Sequence, residues 1–287
     1  MRATALLLTL SLCRLDAAAQ SGGDRDDVAR FAALAKAATE RYRDQSAAIA
    51  DGYRRIGPDF PSMGEHWLSV SLAVHPEVDP LHPPILEYVS VAGKPVLAGV
   101  AYTQLVRDAL PQVPIPAPAA AWHFHQGSVD EESFVLSHAA AQLAAGDSTP
   151  PEGPRIGVLH AWLWLENPAG LFATDNWSLP WRRIGISRPG WVGAAAPADL
   201  AAALAAGGAG YFTTLLRYRQ RLTAEQAGRI ATVLERHGRE IRALLESQRA
   251  GHEPADRGEL STAWTAVEAD LRTVCAGCIL SPGHQPH

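Results

Sequence analysis

The sequence lacks a long block of like charge, although its 25 basic and 30 acidic residues give it a net charge of −5. Binding to nucleic acid needs a basic face that neutralises phosphates, so this composition argues against a nucleic-acid partner. The sequence also lacks the G-x-S-x-G, P-loop, G-x-G-x-x-G and H-E-x-x-H motifs of serine hydrolases, nucleotide-binding proteins and zinc proteases. Sequence motifs therefore assign no reaction to this chain.

Apolar runs long enough to cross a membrane are also lacking, because the run at the beginning of the chain is too short. Met1–Arg2 gives a short positive start, Ala3–Cys13 is apolar, and Ala17–Ala19 supplies small residues, which is the pattern of a secretory signal peptide. We therefore predict a signal peptide over residues 1–19 and a mature chain that begins near Gln20. The expected product is a soluble protein that is exported to the periplasm or secreted, with no membrane span.

Cysteine is scarce, with three residues in the whole chain. Removal of the signal peptide would leave Cys275 and Cys278, and an even number of cysteines in an oxidising compartment indicates a disulfide. Their spacing also allows a zinc-knuckle-like site with His284 and His287, or a redox dithiol. Because the pair follows a predicted helix instead of opening one, we favour a local disulfide.

Hydrophobic residues make up 47% of the chain and charged residues 19%, so a packed core is expected. Apolar residues at helical spacing predict one long helix over Asp24–Ile56. A turn signal at Ala92–Pro95 predicts a hairpin between two strands. Ser128–Ala145 fits either a helix or a strand and turn. The predicted strands are Ile85–Val89, Val96–Tyr102, the segment around His123–His125, and Ile156–Leu165.

The chain becomes helical from Pro197 onward. Thr223 and Gln226 form a predicted capping box at the start of a helix with heptad spacing, and another helix is predicted over Arg257–Thr273. The predicted fold class is α+β, with an N-terminal long helix, a mostly antiparallel sheet and a helical C-terminal third. The predicted divisions are an α+β domain over residues 20–196, which carries the candidate site, and a helical region over residues 197–287.

Two histidines alternate along a predicted strand. His123 and His125 would point to one face, because residues i and i+2 of a strand share a face. Imidazole is a common ligand for Zn, Cu, Fe and Ni, so we predict one transition-metal ion bound by this pair and His160, with His66 or Glu131 completing the site. The alternative is that His123 and His125 are partly exposed strand residues and that His160 is a buried histidine bonded to backbone. Other nearby carboxylates are Glu65, Glu87 and Glu132.

Tryptophan is concentrated in the predicted sheet and in the irregular segment 166–193. Trp162 and Trp164 are predicted to share the face of His160, and with Trp67 they could line an apolar ligand pocket or simply fill the core. Two functions stay open. The first is metal-assisted hydrolysis or oxidation, with Glu65 or Glu132 as a base. The second is a non-catalytic envelope protein that binds an apolar ligand or a protein partner through the Trp-rich loop.

Three segments together resemble a family of exported bacterial proteins that has no assigned function. They are Ala50–Tyr53, Met63–Trp67 (MGEHW) and Leu159–Phe172 (LHAWLWLENPAGLF). The resemblance covers about residues 24–176 and implies that His66 and His160 belong to the shared part of the fold. It implies no activity.

A weaker, partial resemblance is to the cupins. His123-x-His125 followed by Glu131 and Glu132 is similar to the first cupin motif, and Gly146-Asp147 with Pro154 and His160 is loosely similar to the second. The spacing from His125 to Glu131 departs from that motif. The resemblance implies a fold of about eight strands, whereas four to six are predicted here.

Overall fold

The computed structural model describes residues 13–125, 153–192, 197–251 and 255–280. The ambiguous segment Ser128–Ala145, the start of the predicted signal peptide and the histidines of the C-terminal tail lie outside the described residues. The strands are β1 (Arg54–Phe60), β2 (Gly64–Leu68), β3 (Ile85–Val91), β4 (Lys94–Arg107), β5 (His123–His125) and β6 (Pro154–Ala161). The α-helices are α1 (Cys13–Thr39), α2 (Gln45–Ala50), α3 (Val70–Ala73), α4 (Leu179–Arg183), α5 (Pro197–Ala205), α6 (Ala209–Arg219), α7 (Ala224–Ala250) and α8 (Arg257–Val274).

The six strands form one antiparallel sheet in the order β1-β2-β3-β4-β6-β5. A two-residue turn at Ala92 and Gly93 joins β3 to β4, and both residues have positive φ, 51° and 76°. That conformation matches the twist of the flanking strands, and the glycine adopts it without a steric penalty. The predicted hairpin is therefore confirmed. The long β4 pairs with β3 along its first half and with β6 along its second half.

One face of the sheet packs on α1. The ring of Phe31 lies 6.0 Å from that of Tyr102 and 5.6 Å from that of Phe172, measured between centroids. Phe31 and Ala35 are both buried there, as the helical spacing predicts. Burial of a phenyl side chain stabilises a fold by about 1.5–3 kcal/mol, so this contact fixes the helix on the sheet.

The opposite face of the sheet meets the C-terminal half of the chain. Phe60, Met63 and Trp162 pack there against Leu179 of α4. Tyr211 of α6 contacts Phe60 edge-to-face, with ring centroids 5.3 Å apart. The helical region therefore covers this face of the sheet. The domain boundary predicted at residue 197 stays a prediction.

The helix α7 begins at the predicted capping box. Thr223 Oγ1 accepts from the Gln226 backbone N–H at 3.2 Å, and Gln226 Oε1 accepts from the Thr223 N–H at 3.0 Å. One face of this helix packs on the core of the helical region, as the heptad spacing predicts. The buried residues on that face are Ala227, Ile230, Leu234, His237, Ile241, Leu245 and Gln248.

The single long helix predicted up to Ile56 is wrong in its second half. α1 ends at Thr39, a 3₁₀ turn follows, and the Asp44 carboxylate caps the separate helix α2 by accepting from the Ser46 N–H at 2.9 Å. The chain has then already entered β1 at Arg54. An N-cap residue takes an extended conformation, which ends any helix that precedes it.

Two further boundaries differ from the predicted ones. β1 and β2 were not predicted from the sequence. His66 is part of β2 and therefore lies within the sheet, not before it. β6 ends at Ala161 instead of Leu165, because the backbone N–H groups of Trp164 and Leu165 both donate to the carbonyl of Ala98. The chain therefore turns away from the strand direction directly after Ala161.

Cys275 and Cys278 form a disulfide, which confirms that prediction. In the part of the chain that the structure describes, no helix combines the length and the apolar composition needed to cross a bilayer.

Candidate metal centre

The register of the sheet brings a glutamate and two histidines to one face. His66 pairs with Glu87, and Glu87 pairs in turn with Gly99. Directly paired residues of an antiparallel sheet point to the same side. Gly99 and Ala101 are two apart on β4 and so share that side, and Ala101 pairs with His160. The pairing of β2, β3, β4 and β6 therefore places all three polar side chains on the face that meets the helical region.

The three side chains converge on one oxygen. Glu87 Oε1 is hydrogen-bonded to His160 Nδ1 and lies 3.6 Å from His66 Nε2. One ligand atom from each residue can be chosen so that all lie within 4.8 Å of one another. The exposed fractions are 3% for His66, 0% for Glu87 and 1% for His160, so the group is closed to bulk water.

Gly99 makes room for the carboxylate. A Cβ atom at this position would lie 2.7 Å from Glu87 Oε2 and 2.9 Å from the carbonyl oxygen of Ala161. Both distances are shorter than van der Waals contact, so the strand needs glycine where the buried side chain crosses it. The register between β3 and β4 also shifts next to Glu87, and such irregularities re-aim side chains near functional sites.

Burial controls the protonation of the cluster. It raises the pKa of Glu87 to about 8, against a smaller opposing effect of His66. It lowers the pKa of His66 to about 4 and that of His160 to about 4, because a buried imidazolium loses its hydration. At neutral pH without a cation, the cluster therefore holds neutral imidazoles and a protonated carboxyl. A bound divalent cation would pair with the carboxylate and favour the ionised form of Glu87.

The ring geometry suits ligation by His66 and His160. Their ring centroids are 5.9 Å apart and the ring planes meet at 81°. Two imidazoles bound to one tetrahedral ion at about 2.1 Å have centroids about 5 Å apart, so the two rings need to close by less than 1 Å. The lone pair of an imidazole nitrogen lies in the ring plane, and planes at a steep angle can both contain one ion.

His123 and His125 lie on the same face, farther toward the edge of the sheet. His123 pairs with Val158 and His125 with Ile156, both of which share the side of His160. The ring of His123 stacks on that of His160, with centroids 5.0 Å apart and planes 10° apart. Parallel stacked rings cannot direct their in-plane lone pairs at one ion. The converging group therefore differs from the predicted set of His123, His125 and His160.

The carboxylate in the converging group is Glu87, whereas the prediction named Glu131, which lies outside the described residues. Glu65, suggested as a base, faces the other way, because it precedes His66 in β2. It forms an ion pair with Arg55 at 2.7 Å and accepts from Trp67 Nε1 at 3.2 Å. One signal in the sequence singles out Glu87, since it is the only charged residue of β3.

The structure separates the tryptophans of the predicted ligand pocket. Trp162 stacks on His160, with centroids 6.0 Å apart and planes 9° apart. Trp67 and Trp164 belong to the core on the α1 side, where Trp164 Nε1 donates to Thr39 Oγ1 at 3.3 Å. The prediction that Trp164 shares the face of His160 is wrong, because β6 ends at Ala161 and the strand alternation stops there.

A separate cavity of about 220 Å³ lies in the irregular segment, and the predicted pocket tryptophans do not line it. Trp177 is the tryptophan at this cavity, beside Arg188, whose guanidinium donates twice to the buried Asp199 at 2.8 Å. The other residues that line it are Asn167, Pro168, Ala169, Ser178 and Val192.

Comparisons with protein-family models, with curated proteins and with solved structures gave no significant match. The resemblances to exported bacterial proteins and to cupins therefore stay predictions, and the function of the site is inferred from its own geometry.

Proposed function

We propose that this chain is an exported metal-binding protein and that His66, Glu87 and His160 bind one first-row transition-metal ion. The observation that carries the proposal is the environment of Glu87. Its side chain has no exposed surface, and among the described residues its ion pairs are with His66 and His160 alone. Its Oε2 is buried and has no hydrogen-bond partner among the described residues. A metal ion bound by the two neutral imidazoles would displace the proton of Glu87 and pair with the carboxylate.

The ligand set selects a class of ion. Two imidazoles and one carboxylate suit Zn²⁺, and they are also the ligand set of non-haem Fe²⁺ sites. Hard cations such as Mg²⁺ and Ca²⁺ prefer all-oxygen sites, so they fit this group poorly. We name Zn²⁺ or Fe²⁺ as the resident ion.

Three protein ligands leave at least one coordination position, which a buried water molecule could fill. Structural zinc sites are closed by four protein ligands, whereas catalytic sites keep such a position. A water bound there would have a lowered pKa and could attack an electrophile, and Fe²⁺ in the same place would support oxidation. Metal-assisted hydrolysis or oxidation is therefore the class of reaction that this centre fits.

The disulfide between Cys275 and Cys278 supports export, because such bonds persist in oxidising compartments.

Elemental analysis of the protein purified from metal-replete medium tests the proposal. We expect about one equivalent of metal in the parent and less than a tenth of that in the Glu87→Gln variant, which keeps the shape of the side chain and removes the carboxylate. The matched control is His75→Ala/His82→Ala, because both of these histidines are exposed.

Thermal unfolding supplies the second readout. After removal of the metal, Zn²⁺ at 100 times its Kd stabilises a native state that binds it by about 2.7 kcal/mol, so the melting temperature of the parent and of the control should rise. The Glu87→Gln variant should not respond. Loss of metal from the control variant, or retention of it by Glu87→Gln, would show that the ion is held elsewhere. If the parent protein carries no metal and its melting temperature does not rise with Zn²⁺, the cluster is a purely structural hydrogen-bonded group.

A further inference from the structure

Beyond the centre at Glu87, we infer that His123 and His125 form a second binding site for a first-row divalent cation, next to the first site on the same face of the sheet. The second site follows from its own geometry and does not rest on the proposed function. β5 places the two imidazoles two residues apart, so they point to one side of the strand.

The two rings are arranged as ligands of a shared ion. Their centroids are 5.0 Å apart and their planes meet at 71°. Two imidazoles on one ion at about 2.1 Å reach this separation when the angle between them at the ion is about 100°, close to the tetrahedral value. The pair therefore needs less adjustment than His66 and His160, which are 5.9 Å apart.

A single ion shared by all four histidines conflicts with the stacking of His123 on His160. Those ring planes differ by only 10°. An ion in the plane of the His160 ring, on its Glu87 side, is out of the plane of the His123 ring, so His123 cannot bind it. The stack therefore leaves His125 as the histidine that can share an ion with His123.

Both imidazoles are buried over apolar residues. The exposed fractions of His123 and His125 are 2% and 8%, and their cross-strand partners Val158 and Ile156 are apolar. These apolar side chains place no charged group on the sheet side of the two rings. Two nitrogen ligands with water completing the shell suit Cu²⁺ best among the first-row divalent ions, followed by Ni²⁺ and Zn²⁺. With one protein ligand fewer, this site should bind more weakly than the first.

Equilibrium dialysis of metal-free full-length protein against Cu²⁺ tests the inference. We expect two equivalents in the parent and in the exposed-histidine control His75→Ala/His82→Ala. His123→Gln/His125→Gln should lose the weaker equivalent, and His66→Gln/Glu87→Gln should lose the tighter one.

Three other dialysis results would distinguish between the two sites. A single equivalent lost only in His66→Gln/Glu87→Gln overturns the second site and leaves the first. A single equivalent lost only in His123→Gln/His125→Gln supports the second site while the proposed function fails. A single equivalent lost in both variants shows one shared ion and also overturns the second site.

A spectroscopic measurement covers the case in which the double variants do not fold. The parent is loaded with one equivalent of Zn²⁺ and then with one equivalent of Cu²⁺, and its electron paramagnetic resonance spectrum is recorded. Hyperfine coupling to two imidazole nitrogens, reduced to one in His125→Asn, supports the second site. A Cu²⁺ signal without nitrogen coupling overturns it.

Discussion

Replacement of Gly99 by alanine should damage the metal centre without touching a ligand. The added Cβ would lie 2.7 Å from Glu87 Oε2, 2.9 Å from the Ala161 carbonyl oxygen and 3.2 Å from the Trp162 ring. Two of these neighbours are held in place, one as β6 backbone and one as a buried indole. The carboxylate is the group that can move, so Glu87 should rotate away from its histidines.

The size of the effect follows from similar overpacked sites. Insertion of a methyl group into a well-packed core costs about 1–3 kcal/mol, so the free energy of unfolding should fall by that amount. Mutation of a residue that holds a ligand in position typically weakens a metal site by about 10–100-fold. Urea unfolding measures the first quantity, and titration of the metal-free protein with Zn²⁺ measures the second.

A second glycine offers the matched control. Gly228 lies on the exposed side of α7, and a Cβ there would meet nothing within 4 Å. Gly228→Ala should therefore stabilise the helix by about 0.5–1 kcal/mol and leave Zn²⁺ affinity unchanged. If Gly99→Ala binds Zn²⁺ with the parent affinity, the claim that this glycine positions the Glu87 ligand is refuted.

Three further predictions concern protonation and stability. Binding of Zn²⁺ must displace the proton of Glu87, whose pKa is raised to about 8. The affinity should therefore rise about tenfold per pH unit between pH 5.5 and 7, and calorimetry in that range in buffers of different ionisation enthalpy should detect about one released proton. A slope of zero would contradict the buried acid. Thr223→Ala should lower the free energy of unfolding by about 1 kcal/mol, since it removes the cap of α7, while Thr232→Ala on the exposed surface of the helix should have a smaller effect. Reduction of the disulfide should lower the free energy of unfolding by about 2 kcal/mol in a denaturant titration, because the bond closes a very short loop. A loss above about 5 kcal/mol would contradict a purely local role for the bond.

The stability of the metal-free protein should depend on pH, and the direction of the change follows from the shifted pKa values. The pKa of His160 is lowered to about 4 in the folded state, so its contribution to stability is lost as the pH falls from about 6.5 toward 4, and His66 behaves in the same way. Glu87 acts oppositely, because its raised pKa means that stability is lost as the pH rises from about 4.5 toward 8. These groups together place the stability maximum of the metal-free protein near pH 6.5.

Local patterns predicted the elements whose signals lie close together in the sequence. The capping box at Thr223 and the turn at Ala92 and Gly93 are confirmed, because short-range hydrogen bonds and backbone conformation decide them. The first helix was extended too far because Ile49 and Tyr53 continue its apolar spacing. The Asp44 cap divides that segment, and apolar spacing alone does not indicate it.

The pairing at the centre of the site could not be read from local patterns. His66 and Glu87 meet through the register of β2 on β3, which depends on non-local packing and on the turns that join the strands. Alternation along a strand is a local property, and it indicated that His123 and His125 share a face. His66 and His160 were named as candidate ligands beside them, without a predicted pairing that brings them together. The sequence could not show that stacking on His160 separates His123 from the buried carboxylate.

The central claim is that one ion is bound by His66, Glu87 and His160. Its most direct test is a crystal structure of the Zn²⁺-loaded protein with anomalous diffraction recorded on both sides of the zinc edge. We expect an anomalous peak with two imidazole nitrogens and a Glu87 oxygen at about 2.0–2.2 Å. A zinc-loaded crystal with no peak among these three side chains would contradict the account.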